Sequence, residues 1–171
     1  GAMENIRDNK SIYKRGINMV QDIGAIQNLL SSYCHKVDRG TAREVAELFM
    51  EDGILRPYYD GEYECIGRVE VERWYAFYHE KMLSKVRNLK HLISSTEISV
   101  NGSSGKAVTY LTAYFVGIED GVAYQVLGTY FDEVAKDADR WLFKDRRIEV
   151  EYMTPLNGMI ESMEPLGFEP N

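Results

Sequence analysis

The chain predicts an α+β domain in which a curved mixed or antiparallel sheet wraps around three N-terminal helices and encloses a cone-shaped pocket. Two observations carry this. Three-and-four apolar spacings crowd the first half, and four long stretches rich in Val, Ile, Tyr, Thr and Phe, separated by turn signals, fill the second. The length, 171 residues with 44% hydrophobic content, suits one well-filled domain and is short for two.

In order, residues 1–20 read as a vector-derived Gly1-Ala2-Met3 scar followed by a polar arm or short leading helix. The domain proper is expected over residues 21–153, with 154–171 as a tail that closes the pocket mouth or contributes to an oligomer contact. Asp22 to Gly40 predicts the central helix: Ile23, Ile26, Leu29, Leu30, Tyr33 and Val37 form its apolar stripe, Asp22 caps it and Gly40 stops it. Thr41 predicts the cap of a second helix, with Val45, Leu48 and Phe49 as its stripe and Glu51-Asp52-Gly53 as its end. Ile54 to Tyr59 and Glu62 to Ile66 predict short strands around the turn dipeptide Asp60-Gly61. Val69 to Leu83 predicts a third helix with an aromatic face of Trp74, Phe77 and Tyr78. Leu89 to Val100, Lys106 to Ile118, Val122 to Val134 and Arg140 to Tyr152 then predict four long antiparallel strands.

The net charge is −7 and the pI about 5.1, with acids and bases interspersed, which argues against nucleic acid and anionic membrane as partners. Cys34 and Cys65 show no C-x-x-C pairing and no zinc spacing, so reduced thiols in a cytoplasmic protein are expected, with no metal. No GxGxxG, Walker loop, HExxH, GxSxG or EF-hand spacing supports nucleotide, flavin or metal chemistry.

Chemistry-bearing residues are few. Asp38 stands in the last turn of the central helix, where the negative end of the helix dipole opposes a carboxylate; it is either a functional group or a solvated aspartate before a loop. His91 lies between apolar residues on a strand expected to pair centrally, and can reach the end of that helix. An aspartate bonded to one ring nitrogen fixes the tautomer of a histidine base, although a lone strand histidine is often structural. Of Arg146 and Arg147, one faces the pocket and can stabilise a developing oxyanion, and the other is a surface cation paired with Glu149 or Glu151. Alternation puts Arg146 with Leu142, Ile148 and Val150, and Arg147 with Trp141 and Phe143. Tyr33 is a proton donor or a packed aromatic. Tyr58, Tyr59, Tyr114 and Trp74 are expected around a pocket for a small hydrophobic substrate. His35 and His79 rank lower, the first turned from the apolar stripe and the second in the charged stretch YHEKM.

These residues resemble the SnoaL-like dehydratases and isomerases of the nuclear transport factor 2 (cystatin-like cone) superfamily. The marks run from about Gln21 to Leu156: Tyr33 with Asp38, LFMEDG, KHLISSTEISVNG around His91, and LGTYFDEV with RWLFKDRRI. Within that family the closing segment looks most like lindane dehydrochlorinase, whereas Tyr33 five residues before Asp38 looks like bile-acid 7α-dehydratase; scytalone dehydratase belongs to the same branch. The lysine of the lindane enzyme is Tyr33 here, which implies loss of water rather than of hydrogen chloride. The resemblance implies that His91 is the base, Asp38 its orienting partner, and Tyr33 and Arg146 aids to the leaving group. It also implies no cofactor and a homo-oligomer, trimer or dimer. Isomerisation, polyketide cyclisation and non-catalytic ligand binding use the same fold.

Overall fold

A computed structural model describes residues 2–158 and 164–170. The first helix, α1 (Ala2–Arg39), is much longer than expected, because nothing in residues 3–21 breaks it. Gly16 is the weakest helix former there, by about 1 kcal/mol, which a continuous helix tolerates. Residues 3–21 are exposed along their whole length, so the part of α1 that shapes the domain begins at Asp22. Asp22 is not a cap. It accepts from Trp141 Nε1 at 2.9 Å and pairs with Lys136 Nζ at 2.8 Å, tying the helix to the last hairpin. Beyond it Ile26, Leu29, Leu30, Tyr33 and Val37 are buried as the spacing predicted, and Ile23 is only half-buried.

Gly40 ends α1 as expected: its N–H donates to Lys36 O at 2.8 Å, and a Cβ would meet that oxygen at 2.8 Å. Thr41 caps α2 (Ala42–Ala46) with a full capping box, since its N–H donates to Glu44 Oε2 and its hydroxyl accepts from Glu44 N–H. The helix is far shorter than expected. Phe49 opens β1 (Phe49–Pro57) instead and pairs in parallel with Phe143, so Glu51-Asp52-Gly53 is an irregularity inside a strand and ends no helix. An apolar triplet spaced three and four residues apart fits a helix face and a buried strand start equally well, and here sheet pairing won.

β1 pairs antiparallel with β2 (Cys65–Ile66), so the two short strands exist, joined by a wider loop than a tight turn at Asp60-Gly61. Next comes α3 (Arg68–Lys81), whose buried face is Val71, Trp74 and Tyr75; Val69 and Phe77 lie on the exposed side. The four long strands are β3 (Val86–Asn101), β4 (Ser104–Gly117), β5 (Ala123–Asp137) and β6 (Arg140–Leu156). One six-stranded sheet results, in the order β2-β1-β6-β5-β4-β3, mixed because β1 runs parallel to β6. The helices cover one face of this curved sheet and make the core with it. β3 is an edge strand, not a central one. Its register slips around Asn88 and Ser95, both with positive φ (58° and 50°), mark bulges that bend it.

The tail expectation is revised in part. Met153 to Leu156 belong to β6, residues 164–170 are exposed, and 159–163 and 171 lie outside the described residues, as does Gly1. Among the described residues no helix is long and apolar enough to cross a membrane.

Candidate active site

Between the helices and the concave sheet face lies a cavity of about 380 Å³. Tyr33 and Val37 reach it from α1, Trp74, Tyr75 and Tyr78 from α3, and Leu111, Ala113, Tyr130 and Ile148 from the sheet. The lining is mostly aromatic and aliphatic, the setting for an apolar ligand held by a few polar groups.

His91 enters this cavity from β3. It stands opposite Ala113, one of the inward positions of β4, and its side chain is 11% exposed. Asp38, 8% exposed, lies behind it: its Oδ1 is 2.5 Å from His91 Nδ1, and its Oδ2 accepts the His91 backbone N–H at 3.0 Å. The second bond exists because β3 is the sheet edge. A central strand would give that amide to a neighbouring strand, whereas here it faces the end of α1. These donors also offset the unfavourable position of a carboxylate in the last turn of a helix. The tautomer that gives Nδ1–H to Asp38 is the one in which Nε2 keeps a lone pair.

Beneath the cavity floor sits Arg146, completely buried and bound to Asp132 through two bonds of 2.8 and 3.0 Å. Its guanidinium carbon lies 4.0 Å from the ring centre of Tyr33, 3.9 Å from Tyr130 and 4.2 Å from Phe143. Arg146 therefore faces inward, but those rings separate it from the cavity, and it is not among the lining residues. Its expected neighbours change as well. A register slip between Glu133 and Val134 sets Lys144 aside, so Phe143 shares a face with Arg146 and Leu142 does not. Arg147 is the surface cation, paired with Glu149 at 3.0 Å. Asp132 holds the Arg146 guanidinium well above its ordinary range, so the charge under the rings is permanent.

The Tyr33 hydroxyl meets that of Tyr75, and its ring packs edge-on against Tyr75, Tyr130 and Phe143. Burial pushes the Tyr33 phenol up to about 12, with Arg146 opposing the rise, so it carries its proton at neutral pH. Trp74 lines the cavity as expected, its Nε1 donating to Tyr63 Oη at 2.7 Å. Tyr58 and Tyr114 do not. Tyr114 points to the outer face, 38% exposed, because strand alternation sends Ala113 and Phe115 inward; after Pro57 the Tyr58 N–H folds back onto Arg56 O, and Tyr59 takes the lining position. Tyr75 and Tyr130 escaped the sequence reading, and Tyr78 was expected on the aromatic face of α3 without being assigned to the pocket. Asp132 escaped it too, since a carboxylate among strand residues looks like any solvated one. His35 is exposed, and His79 is half-buried outside the cavity.

Residues 18–147 match the SnoaL-like domain family. The chain belongs to that family. Solved SnoaL-like and cystatin-like structures agree with the architecture at low identity. A candidate scytalone dehydratase from Novosphingobium aromaticivorans DSM 12444 superposes with a TM-score of 0.69 at 22% identity, over 90% of this chain and 97% of its own. The hexachlorocyclohexane dehydrochlorinase LinA-type3 from Novosphingobium barchaimii LL02 gives 0.72 at 16%, over 88% and 99%. A protein of unknown function with a cystatin-like fold from Nostoc punctiforme PCC 73102 gives 0.64 at 22%, over 77% and 92%. No curated protein matches the sequence. The SnoaL-like assignment and these likenesses establish the fold.

Proposed function

We propose that this SnoaL-like protein is a cofactor-independent dehydratase, a carbon–oxygen lyase that removes water from a hydrophobic cyclic substrate of steroid or polyketide type. The observation that carries the reading is the Asp38–His91 pair at the wall of an apolar cavity, with His91 in its lining and Nδ1 of its ring against the carboxylate. In this mechanism His91 Nε2 takes a proton from carbon next to, or vinylogous with, a carbonyl. The carbon–oxygen bond then breaks, and Tyr33 protonates the departing hydroxide to give water. The Arg146 cation beneath the Tyr33 ring steadies the negative charge left on its oxygen. Base catalysis of this kind contributes roughly 10²- to 10⁴-fold. A non-catalytic binding role fits less well, because it gives no reason for an Asp38–His91 contact of 2.5 Å or for a cation buried under the pocket rings. The free thiols Cys34 and Cys65 suit a reducing cytoplasm, and the outward Leu92, Tyr110 and Tyr152 suit a homo-oligomer, trimer or dimer, that light scattering would count.

The test is incubation of wild type and His91→Ala with hydroxylated steroids, bile-acid derivatives and polyketide-like ketones in deuterated water, read by mass spectrometry. Loss of water that requires His91 is the expected result. Deuterium uptake without that loss would replace the dehydratase by an isomerase or cyclase using the same base. Full activity of His91→Ala would remove His91 from the mechanism.

A further inference from the structure

Tyr33 and Tyr130 form an internal control within one cavity. Both are fully buried, both line it, and both lay a ring face on the Arg146 guanidinium, at 4.0 and 3.9 Å. Their hydroxyls differ. Tyr33 has a partner, the hydroxyl of Tyr75 on α3, and Tyr130 makes no side-chain hydrogen bond to the described residues. Burial drives all three phenols up, and the Arg146 cation opposes the rise at each. The same cation underlies Tyr33 and Tyr130, and only Tyr33 meets a second hydroxyl beside it.

The direction of that bond decides whether Tyr33 can act as an acid. Each phenol has one proton. If Tyr33 gives its proton to Tyr75, none is left for a leaving group. If Tyr75 donates to Tyr33, the Tyr33 proton is free for the lumen. The guanidinium lies on the face of Tyr33, and no cation–ring contact exists at Tyr75 among the described residues, so negative charge is better accommodated on the Tyr33 oxygen.

We propose that Tyr75 is a positioning residue for the elimination: its hydroxyl donates to Tyr33, aims the Tyr33 proton at the departing hydroxyl, and holds the Tyr33 oxyanion once that proton has gone. The role rests on the dehydratase reading above. The step balances. The substrate carbon gives its proton to His91 Nε2, the C–H electron pair becomes the new double bond, the C–O pair leaves with oxygen, and the Tyr33 proton completes water. Proton return from the His91 imidazolium to the Tyr33 oxyanion, directly or through solvent, restores both groups. Tyr75 keeps its own proton throughout.

Tyr75→Phe is the variant, since it preserves the ring that packs edge-on against Trp74 at 4.9 Å and Tyr78 at 6.1 Å. The first measurement needs no substrate. A fluorinated tyrosine placed at position 33 ionises several units lower, within the range where the protein stays folded, and is followed by fluorine NMR. Tyr75→Phe is expected to raise its apparent pKa by about one unit or more. An unchanged titration overturns the proposal. The second measurement uses a substrate identified by the panel: kcat is expected to fall about 10- to 100-fold with KM within about twofold, since the lost hydrogen bond strengthens as negative charge develops on the Tyr33 oxygen. An unchanged kcat, or a loss confined to KM, overturns it as well. If wild type turns over no compound, the dehydratase reading falls, whereas the titration still decides whether Tyr75 is the donor to Tyr33.

Discussion

Asp38 with His91 and Asp132 with Arg146 are both carboxylates bonded to a nitrogen base on the same side of the sheet, yet they treat the cavity in opposite ways. The first joins the end of α1 to an edge strand and keeps His91 in the cavity lining. The second joins neighbouring strands β5 and β6, is wholly buried and is roofed by the rings of Tyr33, Tyr130 and Phe143. A neutral histidine can be left half-satisfied at a cavity wall because its free nitrogen is a ready acceptor. A buried guanidinium needs its counter-ion and its aromatic faces at once, which closes it to ligand. The pair at the cavity wall is thus the one with a group that reaches the lining, while the deeper pair is enclosed by rings.

The comparison breaks most sharply if the deeper pair is cut. Asp132→Ala leaves an uncompensated cation in the core and is expected to destabilise the protein by about 3 to 5 kcal/mol, seen as a collapse of the urea midpoint. Retention of stability would show that the buried guanidinium does not need its counter-ion. Next in size, Asp38→Asn should leave the fold standing and reduce turnover roughly a hundredfold, because a carboxamide can still accept one bond but no longer stabilises the imidazolium that forms. Unaltered turnover would separate Asp38 from the base.

Asp22→Asn sharpens the same theme at a more exposed anchor. The bonds from Lys136 and Trp141 hold the Asp22 carboxyl below its ordinary value of 3.8. A depressed folded pKa contributes stability that is present above the unfolded value and is lost as pH falls through the folded one. Wild type should therefore exceed Asp22→Asn by about 1 kcal/mol at pH 7, with the gap closing below the carboxylate range. A gap that persists in acid would point to packing instead of charge. Smallest of all, Glu149→Ala removes the half-exposed partner of Arg147 and should cost well under about 1 kcal/mol. A large loss there would mean that the outer face carries an interface the monomer does not show.

Much of the site was legible in one dimension. Tyr33 and Asp38 lie on one helix, where spacing alone puts Tyr33 in the buried stripe and Asp38 at its end, and His91 lies in an apolar strand context that marks an inward residue. The pocket wall was harder. Tyr114 was expected and Ala113 and Phe115 were found, a phase error of one residue that inverts the face of a strand. Phe143 was misplaced for a related reason, since a bulge at Lys144 has no signature in composition. Asp132 was invisible because its meaning depends on Arg146, a neighbour across the ladder.

By itself the sequence determined the α+β class, the four long strands with their turns, the buried stripe of α1 from Ile26 to Val37 and the Thr41 cap. These follow from period, propensity and local hydrogen bonding, which a short window contains. Only the tertiary structure decided that β3 is an edge, so that the His91 amide and ring are both free for one carboxylate 53 positions earlier in the chain. It also decided that Arg146 lies under the tyrosines and not among the lining residues. Strand order and bulges are set by which long-range pairings bury the most apolar surface while leaving the fewest polar groups unpaired, and that balance is struck over the whole chain at once.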